Sequence, residues 1–145
     1  MRHLIDRTDL RVLRSASILA LCLLVLSACA TSTVSRDKLI QERAQARWDA
    51  LLARDYETAY SYLAPGYRST TSATDFEIGV RARRVQYTSA EYKSHSCEEA
   101  VCTVRMEVGY RVVRPVQGLP EWKSTSPVEE RWIKSDGGWW FLPEK

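Results

Sequence analysis

The sequence lacks a run of about 20 apolar residues, the length a helix needs to cross a bilayer. Its longest apolar stretch, Ala16 to Leu26, is interrupted by Ser17. It also lacks an excess of either charge. The 21 Lys and Arg against 18 Asp and Glu leave a formal net charge of +3, which demands no acidic partner and gives nucleic-acid binding no support. With only six Gly and five Pro in 145 residues, the chain is far from disordered or fibrous compositions. There is no internal repeat, no low-complexity tract and no Gly-x-Ser-x-Gly elbow to present a serine nucleophile. The length suits one ordinary domain and is too short for two substantial ones.

What is present begins with an addressing pattern. Arg2, Arg7, Arg11 and Arg14, diluted by Asp6 and Asp9, precede the Ala16–Leu26 run. A basic flank and a short apolar core are the marks of a signal peptide. The run ends in Leu26-Ser27-Ala28-Cys29, which resembles the lipobox of bacterial lipoproteins. That resemblance implies cleavage before Cys29 and lipidation of Cys29 by a thioether-linked diacylglycerol and an acyl group such as palmitate. It implies a partner too, the membrane, and a place in the bacterial cell envelope. Ala30 in place of Asp implies the outer membrane, facing the periplasm. The expected organisation is a signal peptide over 1–28, a lipidated cysteine and short linker over 29–36, and one domain over 37–145. The tether from Ala30 to Ser35 would reach at most about 20 Å. Loss of residues 1–28 would remove four Arg and two Asp, leaving a net charge of +1.

Cys22 would leave with the signal, so Cys97 and Cys102 form an isolated pair across Glu98-Glu99-Ala100-Val101. Outside the cytoplasm such a pair is expected to be oxidised. A loop flanked by strands brings two α-carbons to about the 5.5 Å that a disulfide prefers. The alternative is a metal site with His95. One His and two Cys do not complete a tetrahedral zinc set, and the spacing matches no common finger pattern. The disulfide is the favoured reading, and no metal or cofactor is expected.

Hydrophobic periodicity predicts a helix over Lys38–Ala53, with Ile40, Ala44, Trp48, Leu51 and Leu52 on one face. Asp55 is placed to cap a second, short helix carrying Tyr56, Ala59, Tyr60 and Leu63, which Pro65-Gly66 would end. Thr74-Asp75-Phe76-Glu77 reads as a capping box for a third helix running to about Arg84. The period then changes to two. Cys102, Val104, Met106, Val108, Tyr110 and Val112 alternate with Thr103, Arg105, Glu107, Gly109 and Arg111, the pattern of a strand with one apolar face. Val85–Lys93 is expected to pair with it. Pro127–Lys134 and Trp139–Leu142 flank the hairpin turn Ser135-Asp136-Gly137-Gly138. Pro115–Ser126 reads as a connecting loop.

The resulting α+β order resembles the NTF2-like (cystatin-like, SnoaL-like) superfamily. The likeness rests on Trp48-x2-Leu51-x3-Asp55-x3-Ala59-Tyr60-x2-Leu63-x3-Tyr67 and on Glu130-Arg131-Trp132-Ile133-Lys134 followed by Asp136-Gly137-Gly138-Trp139. It covers nearly the whole chain after the signal, Lys38 to Pro143. It implies three N-terminal helices packed on a curved antiparallel sheet of about four strands, forming a cone with a pocket at its wide end. Trp48, Tyr56, Tyr60, Tyr110 and Trp132 are the candidate pocket-lining residues. Family members often dimerise through the outer sheet face, but Thr103, Arg105, Glu107 and Arg111 make that face polar here, so a monomer or weak dimer is expected.

Some members of that superfamily are enzymes, among them ketosteroid isomerase and polyketide cyclases, which need a carboxylate or His base in the cone. Most acids in this sequence have simpler roles: Asp55, Asp75 and Glu77 at helix starts, Asp136 in a turn. Glu129 and Glu130 lie one on each face of a strand, so one of them can point inward. His95 reads as a solvated loop histidine, and Arg81, Arg83 and Arg84 as a solvated helix end. The expectation is a non-catalytic binding or scaffolding module whose partner is an envelope protein or a small apolar ligand. The alternative is a small isomerase- or cyclase-like enzyme.

Overall fold

A computed structural model describes residues 36–116 and 119–144. The signal pattern, Cys29 and the tether to Ser35 lie outside the described residues. Every element below belongs to the compact unit Lys38–Lys145. Among the described residues no helix is long and apolar enough to cross a membrane.

Helix α1 covers residues 38–53 in this unit. Ile40, Ala44, Trp48 and Leu51 recur every three or four residues and are all buried, the stripe that drives an amphipathic helix onto a core. The helix stops at Arg54, whose φ of 61° is left-handed. The Arg54 N–H bonds the Leu51 carbonyl at 3.2 Å and the Asp55 N–H the Ala50 carbonyl at 2.9 Å, which is a Schellman turn with arginine where glycine is usual. Asp55 caps helix α2, Tyr56–Ser61, by accepting from the Thr58 N–H at 3.0 Å. That bond holds the Asp55 carboxyl below its ordinary range.

Two helix boundaries differ from the expectation. Pro65 does not end a helix but opens one, at the N-terminus of α3, Pro65–Arg68, where its missing N–H is harmless. Between α2 and α3, the Phe141 N–H bonds the Tyr62 carbonyl and the Ala64 N–H the Phe141 carbonyl. Helix α4 spans Ala73–Arg81, and its cap is Ser72 rather than Thr74. The Ser72 Oγ accepts from the Asp75 N–H at 3.1 Å, so Asp75 occupies the third helical position of the box. Arg83 and Arg84 lie beyond its end.

Four strands form one antiparallel sheet in sequence order: β1 Val85–Glu98, β2 Val101–Val116, β3 Leu119–Ser135 and β4 Gly138–Leu142. The first three are long, and they correct two local readings. Strand β1 continues through His95, which pairs with Val104 and is not a loop residue. The expected loop Pro115–Ser126 is instead the distal half of the β2–β3 hairpin, with Tyr110 opposite Ser124 and Val112 opposite Trp122. Prolines argued against a strand because they donate no ladder bond. Pro127 is tolerated because β4 pairs only with Arg131–Ser135, leaving the earlier part of β3 as an edge.

The expected cone of three helices on a curved sheet is therefore corrected. The molecule is an α+β fold dominated by a four-stranded meander, and apart from α1 its helices are short, with six, four and nine residues. Short helices cannot carry a core alone, so the long α1 and the sheet share it. Cys102, Val104, Met106 and Val108 of β2 are buried beneath α1, with Trp132 of β3 and Trp139 of β4. Thr103, Arg105 and Glu107 face outward, where Arg105 pairs with Glu129 and Lys93 with Glu107.

Candidate functional site: two adjoining cavities

Arg47 falls on the apolar stripe of α1, and Glu130 alternates inward with Val128 and Trp132 on β3. Both are buried, 6% and 3% exposed. The Arg47 Nη1 donates to Glu130 Oε1 at 2.5 Å, and Trp132 Nε1 donates to Glu130 Oε2 at 3.1 Å. The guanidinium also lies over the Phe141 ring, 3.7 Å from its centre. Burial pushes the Arg47 pKa down, while Glu130 and Tyr87 oppose that shift. An arginine is not deprotonated in proteins, so the pair is ionic. Of the two adjacent acids Glu130 is the inward one; Glu129 meets Arg105 at the surface.

Above this pair opens a cavity of about 310 Å³. Its walls are Trp48 and Leu51 of α1, Phe76 and Val80 of α4, Tyr87 of β1 and Phe141 of β4. Two buried donors on its lining residues, Arg47 Nε and Trp48 Nε1, have no hydrogen-bond partner among the described residues. An unsatisfied buried donor costs about 1–3 kcal/mol. Asp75, Glu129 and Glu144 also line this chamber.

A second cavity of about 290 Å³ adjoins the first, sharing Leu51, Val80, Arg83 and Tyr87 with it. Four arginines line it, Arg54, Arg81, Arg83 and Arg111, and no acidic residue does. Arg81 is bridged to Glu77 at 2.7 Å and Arg111 to Glu121 at 3.4 Å. Arg83 donates to the Tyr87 hydroxyl at 2.9 Å. Neither Arg54 nor Arg83 has an acidic partner among the described residues.

The structure scatters the five residues proposed to line one pocket. Trp48 lines the aromatic cavity and Tyr56 the arginine-lined one. Tyr60 donates to the Thr71 carbonyl at 2.8 Å, tying α2 to the turn before α4. Tyr110 meets Trp122 edge-on, 5.9 Å between ring centres, on the distal hairpin. Trp132 is fully buried and serves Glu130. Cys97 and Cys102 do meet: they are directly paired across the first hairpin, Cα atoms 4.0 Å apart, with their sulfurs at disulfide distance. His95 lies beside Tyr92, Nδ1 to hydroxyl 2.5 Å.

Arg47, Phe76, Val80 and Phe141 were not anticipated. For Arg47 a signal existed: it sits three residues after Ala44 and four before Leu51, a charge on an otherwise apolar helix face. A charge at such a position calls for a buried opposite charge elsewhere, and Glu130 on the inward side of β3 is that partner. No comparable signal marks α4, whose approach to β1 depends on the path of the chain between them.

No family model matches the chain, and no curated protein matches it. Among solved structures, the chain is similar to the solution structure of a SEC-C motif containing protein from Rhodopseudomonas palustris, at 16% identity and a TM-score of 0.48. The match covers 67% of this chain and 70% of that one. Assignment to the NTF2-like superfamily and to the bacterial lipoproteins is withdrawn, since no family model supports either and a four-stranded meander with three short helices is not the expected cone. The residues that suggested an NTF2-like domain have local explanations: an amphipathic helix, a capped turn and a tryptophan-rich hairpin, which many α+β proteins share.

Proposed function

We propose that the protein is a non-catalytic binding module that takes a small, largely apolar ligand in the aromatic cavity. The observation that carries this reading is the pair of buried donors, Arg47 Nε and Trp48 Nε1, left without partners on residues that line an aromatic-walled space. Natural interiors leave few such donors, and a ligand oxygen entering the cavity would satisfy them. Binding pockets typically combine apolar walls with a few oriented polar groups in about 300–1,000 Å³. This cavity has that make-up, at the small end of the range. An empty site of about 150 Å³ accepts one benzene ring, so there is room here for about two fused rings.

Against catalysis stands the use of Glu130. Both its oxygens are engaged, by Arg47 and Trp132, so neither is left to face a substrate. The Cys97–Cys102 contact supports work in an oxidising compartment outside the cytoplasm.

The test is native mass spectrometry of the full chain, isolated oxidised, as purified and after titration with two-ring compounds such as 1-tetralone. An adduct of one ligand per chain, accompanied by a change in tryptophan fluorescence, is expected. Gly79 lines the cavity, and a Cβ placed there meets nothing within 4 Å. Gly79→Leu should therefore fold and weaken the adduct. Absence of any adduct or fluorescence response across the series would overturn the reading.

A further inference from the structure

The geometry points to a specific ligand class: an amphipathic anion whose flat apolar body occupies the aromatic cavity and whose anionic head, a phosphate or carboxylate, lies among the arginines of the adjoining one. This rests on the binding reading above and extends it.

Three observations carry it. The cavities are neighbours, sharing Leu51, Val80, Arg83 and Tyr87, so one molecule of modest length can reach both. Their charges differ sharply. Four acids, Asp75, Glu129, Glu130 and Glu144, line the aromatic chamber beside Arg47 and Arg83, whereas the second chamber is lined by four arginines and no acid. A chain with nearly balanced charge has concentrated one sign at one wall, and such a wall focuses an anion there. The arginines also come from four places: the α1–α2 turn, α4, the α4–β1 connection and β2. They converge through the fold and are not a single run of solvated helix-end charges.

The third observation is the backbone of Arg54. Its φ of 61° places a long side chain in a conformation that glycine adopts without strain and other residues adopt at a cost. Glycine would complete the Schellman turn more favourably, yet the position holds an arginine that lines the cavity and has no acidic partner among the described residues. Local strain is tolerated where a side chain is needed for function. Arg54 and Arg83 are the two guanidinium groups available to form charge-assisted, bidentate bonds to a phosphate or carboxylate.

The experiment titrates the full-length oxidised protein with four probes: 1-naphthyl phosphate, 1-naphthoate, naphthalene and inorganic phosphate. Tryptophan fluorescence and calorimetry give the affinities. Either naphthyl anion should bind at least tenfold tighter than naphthalene or inorganic phosphate, and the preference should shrink with added salt. The stronger of the two anions identifies the head group.

Arg54→Gly provides the sharper discrimination, because it should raise the unfolding midpoint while weakening the naphthyl anions about tenfold and leaving naphthalene unchanged. Naphthalene binding as tightly as the anions would overturn the anionic head and leave the binding module standing. Inorganic phosphate binding as tightly as naphthyl phosphate would overturn the shared occupancy of the two cavities. No binding by any probe would overturn both readings. An Arg54→Gly protein that is more stable yet binds the anions normally would remove Arg54 from the site.

Discussion

Burying Arg47 and Glu130 together removes two charges from water, a cost of several kcal/mol per ion that the mutual attraction and added hydrogen bonds must offset. The arrangement gives Glu130 a partner for each oxygen, but it leaves Arg47 Nε without one. Removing one member should be far worse than removing both charges. Arg47→Met strands the Glu130 carboxylate and is expected to cost about 3–5 kcal/mol. Combining Arg47→Met with Glu130→Gln keeps an oxygen for Trp132 Nε1 and should recover most of that loss. Urea unfolding of the two single variants and the double variant measures the coupling; additive losses would show that the pair is not a unit.

At the scale of elements, the turns set which residues meet. The β3–β4 hairpin closes through Asp136 and Gly137, with φ of 50° and 76°, the two positive values a type I′ turn requires. This turn puts Trp132 opposite Phe141 and Lys134 opposite Trp139, and thereby places Phe141 against both Arg47 and the cavity. Gly137→Ala should cost about 1–2 kcal/mol by forcing a side chain into the left-handed region. Because the turn holds Phe141 in register, the same variant should also weaken ligand binding. Thermal unfolding with and without a bound two-ring compound reads both effects. The first hairpin is equally tight, Glu98 pairing with Val101, which is why the two cysteines face each other directly and not across a loop.

For the whole molecule, the meander pairs each strand with its neighbour in chain order, and a cross-strand disulfide closes only a small loop. The entropy it removes from the unfolded chain is correspondingly modest, about 2 kcal/mol. Reduction, or replacement of both Cys97 and Cys102 by Ser, is expected to lower stability by about that amount without abolishing the fold. Equilibrium unfolding with and without reductant tests this, and non-reducing peptide mapping should recover the two cysteines in one linked fragment. Complete unfolding on reduction would contradict the view that the sheet and α1 carry the core.

Local chemistry written into neighbouring residues was legible from the amino-acid order. The apolar stripe Ile40, Ala44, Trp48 and Leu51, the Asp55 cap, the alternation from Cys102 to Val108 and the Asp136-Gly137 turn all depend on contacts within a few residues, and periodicity reports such contacts directly. Less was legible where the tertiary setting overrides local preference. Pro115 and Pro120 fell in a stretch read as a loop, yet they lie in long strands, β2 and β3, whose pairing with each other extends beyond the ends of their outer partners. The likeness to a known superfamily failed for a related reason: an amphipathic helix and a tryptophan hairpin describe elements and leave their packing unspecified.

The sequence by itself thus determined α1, the Asp55-capped helix, the apolar face of β2, the cysteine pairing and the inward alternation that allowed one of two acids to be buried. Only the tertiary structure decided that Glu130 meets an arginine 83 residues away, and that four dispersed arginines line one wall. Those outcomes depend on crossing geometry and side-chain reach between distant segments, which no local period encodes.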